Sequence, residues 1–66
     1  MRLLLNGAEH ELPDGSSVAD ALTVLGAPTT GVAVAVDDDV VPRAEWATHE
    51  LRDGAAVEVL TAVQGG

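Results

Sequence analysis

The run Val32-Ala33-Val34-Ala35-Val36 alternates branched and small residues with a period of two, and no other feature constrains the chain more. Successive side chains of a strand point to opposite faces, so the three valines share one face and need an apolar layer over it. The segment that can supply that layer begins at Ser16-Ser17. Val18, Ala21, Leu22 and Leu25 recur at spacings of three and four, which places them on one side of a helix. Ser17 and Asp20 form a capping-box pattern, with Asp in the place usually held by Glu or Gln. Gly26 stops the helix and Pro28 prevents its continuation.

The remaining segments read as short strands and turns. Arg2 to Leu5 and Ala8 to Leu12 are extended, and Asn6-Gly7 between them is a two-residue hairpin signal because both residues tolerate positive φ. Pro13-Asp14-Gly15 is a turn. Asp37-Asp38-Asp39 reads as a polar turn, Val40-Val41 resumes an extended path, and Pro42 ends it. Arg43 to Ala47 suits one short helical turn carrying Trp46, the single aromatic residue and a cover for the core. Asp53-Gly54 is a last tight turn before a final strand, Ala56 to Leu60.

The order strand, strand, helix, strand, short strand, final strand predicts an α+β fold, a mixed sheet with one helix packed across one face. The helical crossover lets the first and last strands lie parallel in the middle of the sheet. We expect one domain over residues 1–60 and a flexible C-terminal tail over 61–66, ending in Gly65-Gly66. In the final strand, alternation puts Val57, Val59 and Thr61 on one face and Glu58, Leu60 and Ala62 on the other. With the valines in the core, Leu60 is expected outside, leading into Ala62 and Val63 as a surface for a partner.

Composition excludes several functions. Eleven acidic residues against three arginines give a formal charge of −8 at pH 7, so the chain has no positive patch for nucleic acid. An acidic surface suits solubility and encounter with basic partners. Cysteine is absent, which removes disulfides and thiolate metal sites and leans towards the cytoplasm. No apolar run approaches the roughly 18 residues of a membrane span, and the apolar stretch at Leu3-Leu4-Leu5 is too short for a signal peptide. Lysine is absent too, so the chain offers no side-chain amine as an acyl acceptor. A domain of about 60 residues has little core to give up to an enclosed cleft. Asp37-Asp38-Asp39 cannot converge on one cation, and His10 and His49 lack the further ligands of a zinc site. Ser16 and Ser17 serve the helix start, and there is no convergent set of acid, base and nucleophile.

Taken together, Asn6-Gly7, Pro13-Asp14-Gly15 before Ser17-Val18-Ala19-Asp20, Val32 to Val36, Val40-Val41-Pro42-Arg43 leading to Trp46, His49, Asp53-Gly54, Val57 to Leu60 and Gly65-Gly66 resemble the ThiS family. These are ubiquitin-like sulfur carriers of thiamine biosynthesis with a β-grasp fold. The resemblance spans nearly the whole chain. It departs mildly at Ala55-Ala56, where an acidic residue is common, and at Gln64, where small or apolar residues often occur.

The resemblance implies a carrier, not an enzyme: this chain has no catalytic residue, metal or bound cofactor. A ThiF-type, E1-like adenylyltransferase, using ATP and Mg, would place AMP on the Gly66 carboxylate. A sulfur donor system would leave a thiocarboxylate there, and a ThiG-type thiazole synthase would receive the sulfur. Gly65 and Gln64 would thread the partner's channel, glycine because it lacks Cβ. Two alternatives stay open on sequence: a related carrier for molybdopterin, cysteine or another sulfur product, and a β-grasp interaction module without carrier chemistry.

Overall fold

Asn6 and Gly7, at φ 51° and 82°, reverse the chain within two residues and join β1 (Arg2–Leu5) to β2 (Ala8–Glu11) as an antiparallel hairpin. Positive φ at both central positions matches the right-handed twist of the flanking strands. The computed structural model describes residues 1–28 and 30–61. After β2 come α1 (Val18–Leu25), β3 (Val32–Val36), β4 (Asp39–Val41), a 3₁₀ turn at Arg43–Glu45 and β5 (Ala56–Thr61). The sheet order is β2-β1-β5-β3-β4. The central pair β1 and β5 is parallel, as the helical crossover predicts, and the other neighbours are antiparallel.

The ends of α1 show why it forms where it does. The Ser17 hydroxyl accepts from Asp20 N at 3.2 Å, and the Asp20 carboxylate accepts from Ser17 N at 2.9 Å. Aspartate thus completes the reciprocal capping box despite its shorter side chain. The two N–H groups that a helix start leaves over are met from a distant segment. Val18 N donates to His49 O and Ala19 N to Trp46 O, both at 3.0 Å. At the other end Gly26, at φ 67°, allows Ala27 N to reach Leu22 O and Gly26 N to reach Thr23 O, a Schellman closure.

One face of the sheet meets α1. Leu3, Leu5, Val34, Val36, Val41, Val57 and Val59 pack with Val18, Ala21 and Leu22 of the helix, and Leu12, Trp46, Leu51 and Ala55 close the margins. Trp46 is 6% exposed, and its indole N–H donates to Val41 O at 2.9 Å. A buried indole with its one donor satisfied is a structural cover.

Three details differ from the sequence reading. β2 ends at Glu11, because Leu12 turns into the core. The Asp37-Asp38-Asp39 turn uses only Asp37 and Asp38, at φ 49° and 72°, and Asp39 already belongs to β4. Asp37 also ties the hairpin to β5: its carboxylate accepts from Ala56 N at 3.0 Å and its own N–H donates to Ala56 O at 2.8 Å. β5 runs one residue past Leu60, because Thr61 still pairs with Val32.

Candidate functional site

β5 is central in the sheet and leads into the C-terminal residues, so its geometry fixes where they start. Val57 and Val59 point into the core, while Glu58 and Leu60 point away from it. Leu60 is 62% exposed. Its neighbour across the sheet is Ala33, whose small side chain leaves the leucine uncovered.

The face opposite α1 is built by the same alternation. Glu58 lies across from Ala35, Ala35 from Val40, and Ala56 from Leu4. Val40 is 75% exposed and Leu4 39%. This face therefore carries a band of apolar residues, Leu4, Val40 and Leu60 above small alanines. Scattered exposed leucines need no explanation, but apolar side chains gathered on one face of a sheet suit a partner surface.

Charge frames the band. Arg2 sits among Glu9 and Glu11, with Nε to Glu9 at 3.5 Å and Nη2 to Glu11 at 3.7 Å. These pairs are exposed and add little stability, but they neutralise the one cation on that strand. Glu58 stands in the band itself. The surface presented is apolar, with Glu58 among its residues and Glu9 and Glu11 on the β2 edge.

Of the residues singled out from sequence, Leu60 is where alternation puts it. Ala62, Val63, Gln64, Gly65 and Gly66 lie outside the described residues. His10 is half-buried on β2 opposite Leu3, and His49 is half-buried beside the 3₁₀ turn. His49 has a backbone role instead: its carbonyl caps α1. Ser16 donates its hydroxyl to Pro13 O at 2.7 Å and Ser17 caps the helix. Both hydroxyls are committed to local structure. Among the described residues, no group of three or more His, Cys, Asp or Glu could hold a metal ion. No helix among them is long and apolar enough to cross a membrane.

One residue had a function in the sheet that the sequence did not disclose. Asn6 Oδ1 accepts from Val59 N at 2.8 Å, across 53 positions of sequence. Asn-Gly signals a hairpin, but nothing local says which distant amide the carboxamide will meet.

Comparison with known proteins agrees with this geometry. The ThiS family model matches residues 2–66. The sulfur carrier protein ThiS of Escherichia coli is 30% identical over 66 residues, covering all of both chains. That of Thermus thermophilus is 36% identical over 62 residues, covering 94% of this chain and 95% of its own. A thiazole synthase of Paramagnetospirillum magneticum is 30% identical over 66 residues, a stretch that makes up 20% of that protein. In three dimensions, the crystal structure of a thiamine biosynthesis protein (ThiS) from Geobacter metallireducens superposes with a TM-score of 0.83 at 28% identity, covering all of both chains. The five-stranded mixed sheet with one helix is thus the β-grasp arrangement of that structure.

Proposed function

The chain belongs to the ThiS family, and from that premise we propose that it is a sulfur carrier protein of thiamine biosynthesis whose reacting group is the Gly66 carboxylate. The observation that carries the reading is that the family match runs through residue 66, and so through the diglycine. The structure adds a folded platform whose central strand leads towards that terminus, with Leu60 outward.

The chemistry explains why a carrier needs an activating partner. A carboxylate is a poor acyl donor, because its charge repels nucleophiles and oxide leaves badly. In the proposed sequence a carboxylate oxygen of Gly66 attacks the α-phosphorus of ATP and displaces pyrophosphate. A sulfide-level sulfur nucleophile then attacks the acyl carbon and expels AMP, leaving the thiocarboxylate; where the donor is a persulfide, the product is an acyl disulfide, and a thiol reductant must cleave its S–S bond to free the thiocarboxylate. Dividing one hard step into easier ones is covalent catalysis with the carrier as the acylated partner. ATP and Mg belong to a ThiF-type adenylyltransferase. This chain supplies the carboxylate, the unbranched Gly65-Gly66 approach, Gln64 beside it, and a docking surface of Leu60, Ala62 and Val63.

A ThiG-type thiazole synthase is the acceptor in this reading. It is supported by the likeness between this chain and one-fifth of a thiazole synthase, as expected where carrier and acceptor work together. The carrier itself performs no catalysis.

Mass spectrometry tests the proposal directly. After incubation with the adenylyltransferase, ATP and a sulfur donor, the chain should gain the mass of one sulfur-for-oxygen exchange, localised to Gly66. A chain that gains none under conditions that load a known ThiS carrier is not a carrier. Deletion of its gene should produce a growth defect relieved by added thiazole; a defect relieved only by another sulfur metabolite would reassign the product.

A further inference from the structure

β1 supports β5 for only part of its length. The two strands are in register at Leu4 with Ala56 and Leu5 with Val57, after which β1 turns away at Asn6-Gly7. From Glu58 onward β5 keeps β3 on one side, and no described strand continues on the other. The strand would lose its grip where it carries Leu60.

Asn6 fills that gap with two bonds. Its backbone N–H donates to Val57 O at 2.9 Å, the last rung of the regular parallel ladder. Its side-chain Oδ1 accepts from Val59 N at 2.8 Å. In a continuing parallel ladder the Val59 amide would bond to the next backbone carbonyl of β1. The hairpin takes that carbonyl away, and the Asn6 carboxamide stands in its place. The bond is partly buried and Val59 is buried in the core, so an unpaired N–H there would carry a desolvation penalty.

The residue type follows from two demands. The turn requires φ of 51° at this position, which asparagine tolerates better than most residues with a Cβ. The ladder requires a short acceptor reaching sideways from the turn. Asparagine meets both.

We infer that Asn6 is a positioning residue for sulfur transfer: its carboxamide extends the β1–β5 ladder by one rung and thereby fixes the course of β5 through Leu60. It touches no reacting atom and acts through β5. The inference rests on the carrier reading for its functional consequence, but not for its structural one.

Asn6→Gly is the informative variant, because it removes the acceptor and still suits positive φ. Asn6→Asp retains an acceptor oxygen in nearly the same place and serves as the conservative rescue. Two measurements are made on the full chain: hydrogen exchange of the Val59 amide by NMR, and kcat and KM for the carrier in adenylation by its ATP-dependent partner enzyme. In Asn6→Gly the Val59 amide should exchange faster by about 2- to 13-fold, the worth of one net hydrogen bond, while the β1–β2 amides stay protected. KM for the carrier should rise severalfold with kcat nearly unchanged, and Asn6→Asp should recover most of both. Unchanged Val59 exchange in Asn6→Gly would overturn the clamp. Faster exchange with KM unaltered would overturn the positioning role. If instead the wild-type chain accepts no AMP or sulfur, the carrier reading fails, and the exchange result still decides the clamp.

Discussion

Leu60 offers the sharpest test of whether the open sheet face meets a partner, because it separates binding from folding. Complete burial of a leucine side chain is worth about 1.5–3 kcal/mol. Leu60 is 62% exposed in the free chain, so a partner covering the remainder would gain about 1–2 kcal/mol. Truncation in Leu60→Ala should therefore weaken binding by about 5- to 30-fold. Leu60→Asp should cost more, since a carboxylate would also have to be desolvated beside Glu58, its neighbour two residues away on the same face. Neither change opens the core, and the fold should lose less than about 1 kcal/mol, the span of strand propensities at an exposed site. Leu5→Ala provides the contrast: this residue is fully buried on the opposite face, and its truncation should cost about 2–5 kcal/mol of stability. Isothermal titration against the adenylyltransferase reads the first effect, and urea unfolding followed by Trp46 fluorescence reads the second. If Leu60→Asp is folded and binds with unaltered affinity, this face is not the docking surface.

Three further outcomes follow from particular contacts. Trp46→Phe keeps most of the apolar cover but leaves Val41 O without its indole donor at 2.9 Å, so urea unfolding should show a loss of about 1–3 kcal/mol, read by circular dichroism because the fluorophore is gone. Asp38→Gly should raise the melting temperature, because Asp38 holds φ 72° and glycine adopts that geometry without the Cβ penalty, a gain of up to about 1 kcal/mol. Asp37→Gly should not help in the same way, since it also removes the carboxylate that holds Ala56 N. Appending one alanine after Gly66 should leave the melting curve unchanged and abolish thiocarboxylate formation by mass spectrometry; transfer by an untrimmed extended chain would refute activation at Gly66.

Much of the fold was legible because local signals agreed with one another. Ser17-Val18-Ala19-Asp20 and Gly26 marked both ends of α1, and the alternation of Val32 to Val36 assigned faces that β3 keeps. The central parallel pair followed from strand count and one helical crossover. What local pattern could not disclose were bonds between distant segments. Trp46 read as a cover and His49 as no metal ligand, yet their backbone carbonyls also satisfy the first N–H groups of α1. The acid run read as a solvated turn, yet Asp37 ties β5 to the β3–β4 hairpin. Such bonds depend on register between elements, which a pattern confined to one element does not encode. For the site, period-two alternation sufficed to place Leu60 outward, whereas the Asn6 clamp needed the register of β1 against β5.

In the proposed docking, the open face of the sheet would make two contributions to recognition. The apolar residues Leu4, Val40 and Leu60 can be desolvated only after contact, so they govern how long a complex lasts. The acidic residues act before contact: a chain of formal charge −8 draws a basic surface across a distance set by the Debye length. The two differ in range: contact desolvates Leu4, Val40 and Leu60, whereas Glu9 and Glu11 on β2 and Glu58 on β5 act through space. Loss of Leu60 should therefore raise koff with little effect on the salt dependence of kon, whereas neutralising the glutamates should flatten that salt dependence and leave koff almost untouched. One short strand, with Val57 and Val59 in the core and Glu58 and Leu60 outside, thus anchors the fold and, in the proposed docking, displays both kinds of contact, so a carrier of this size would need no cleft of its own.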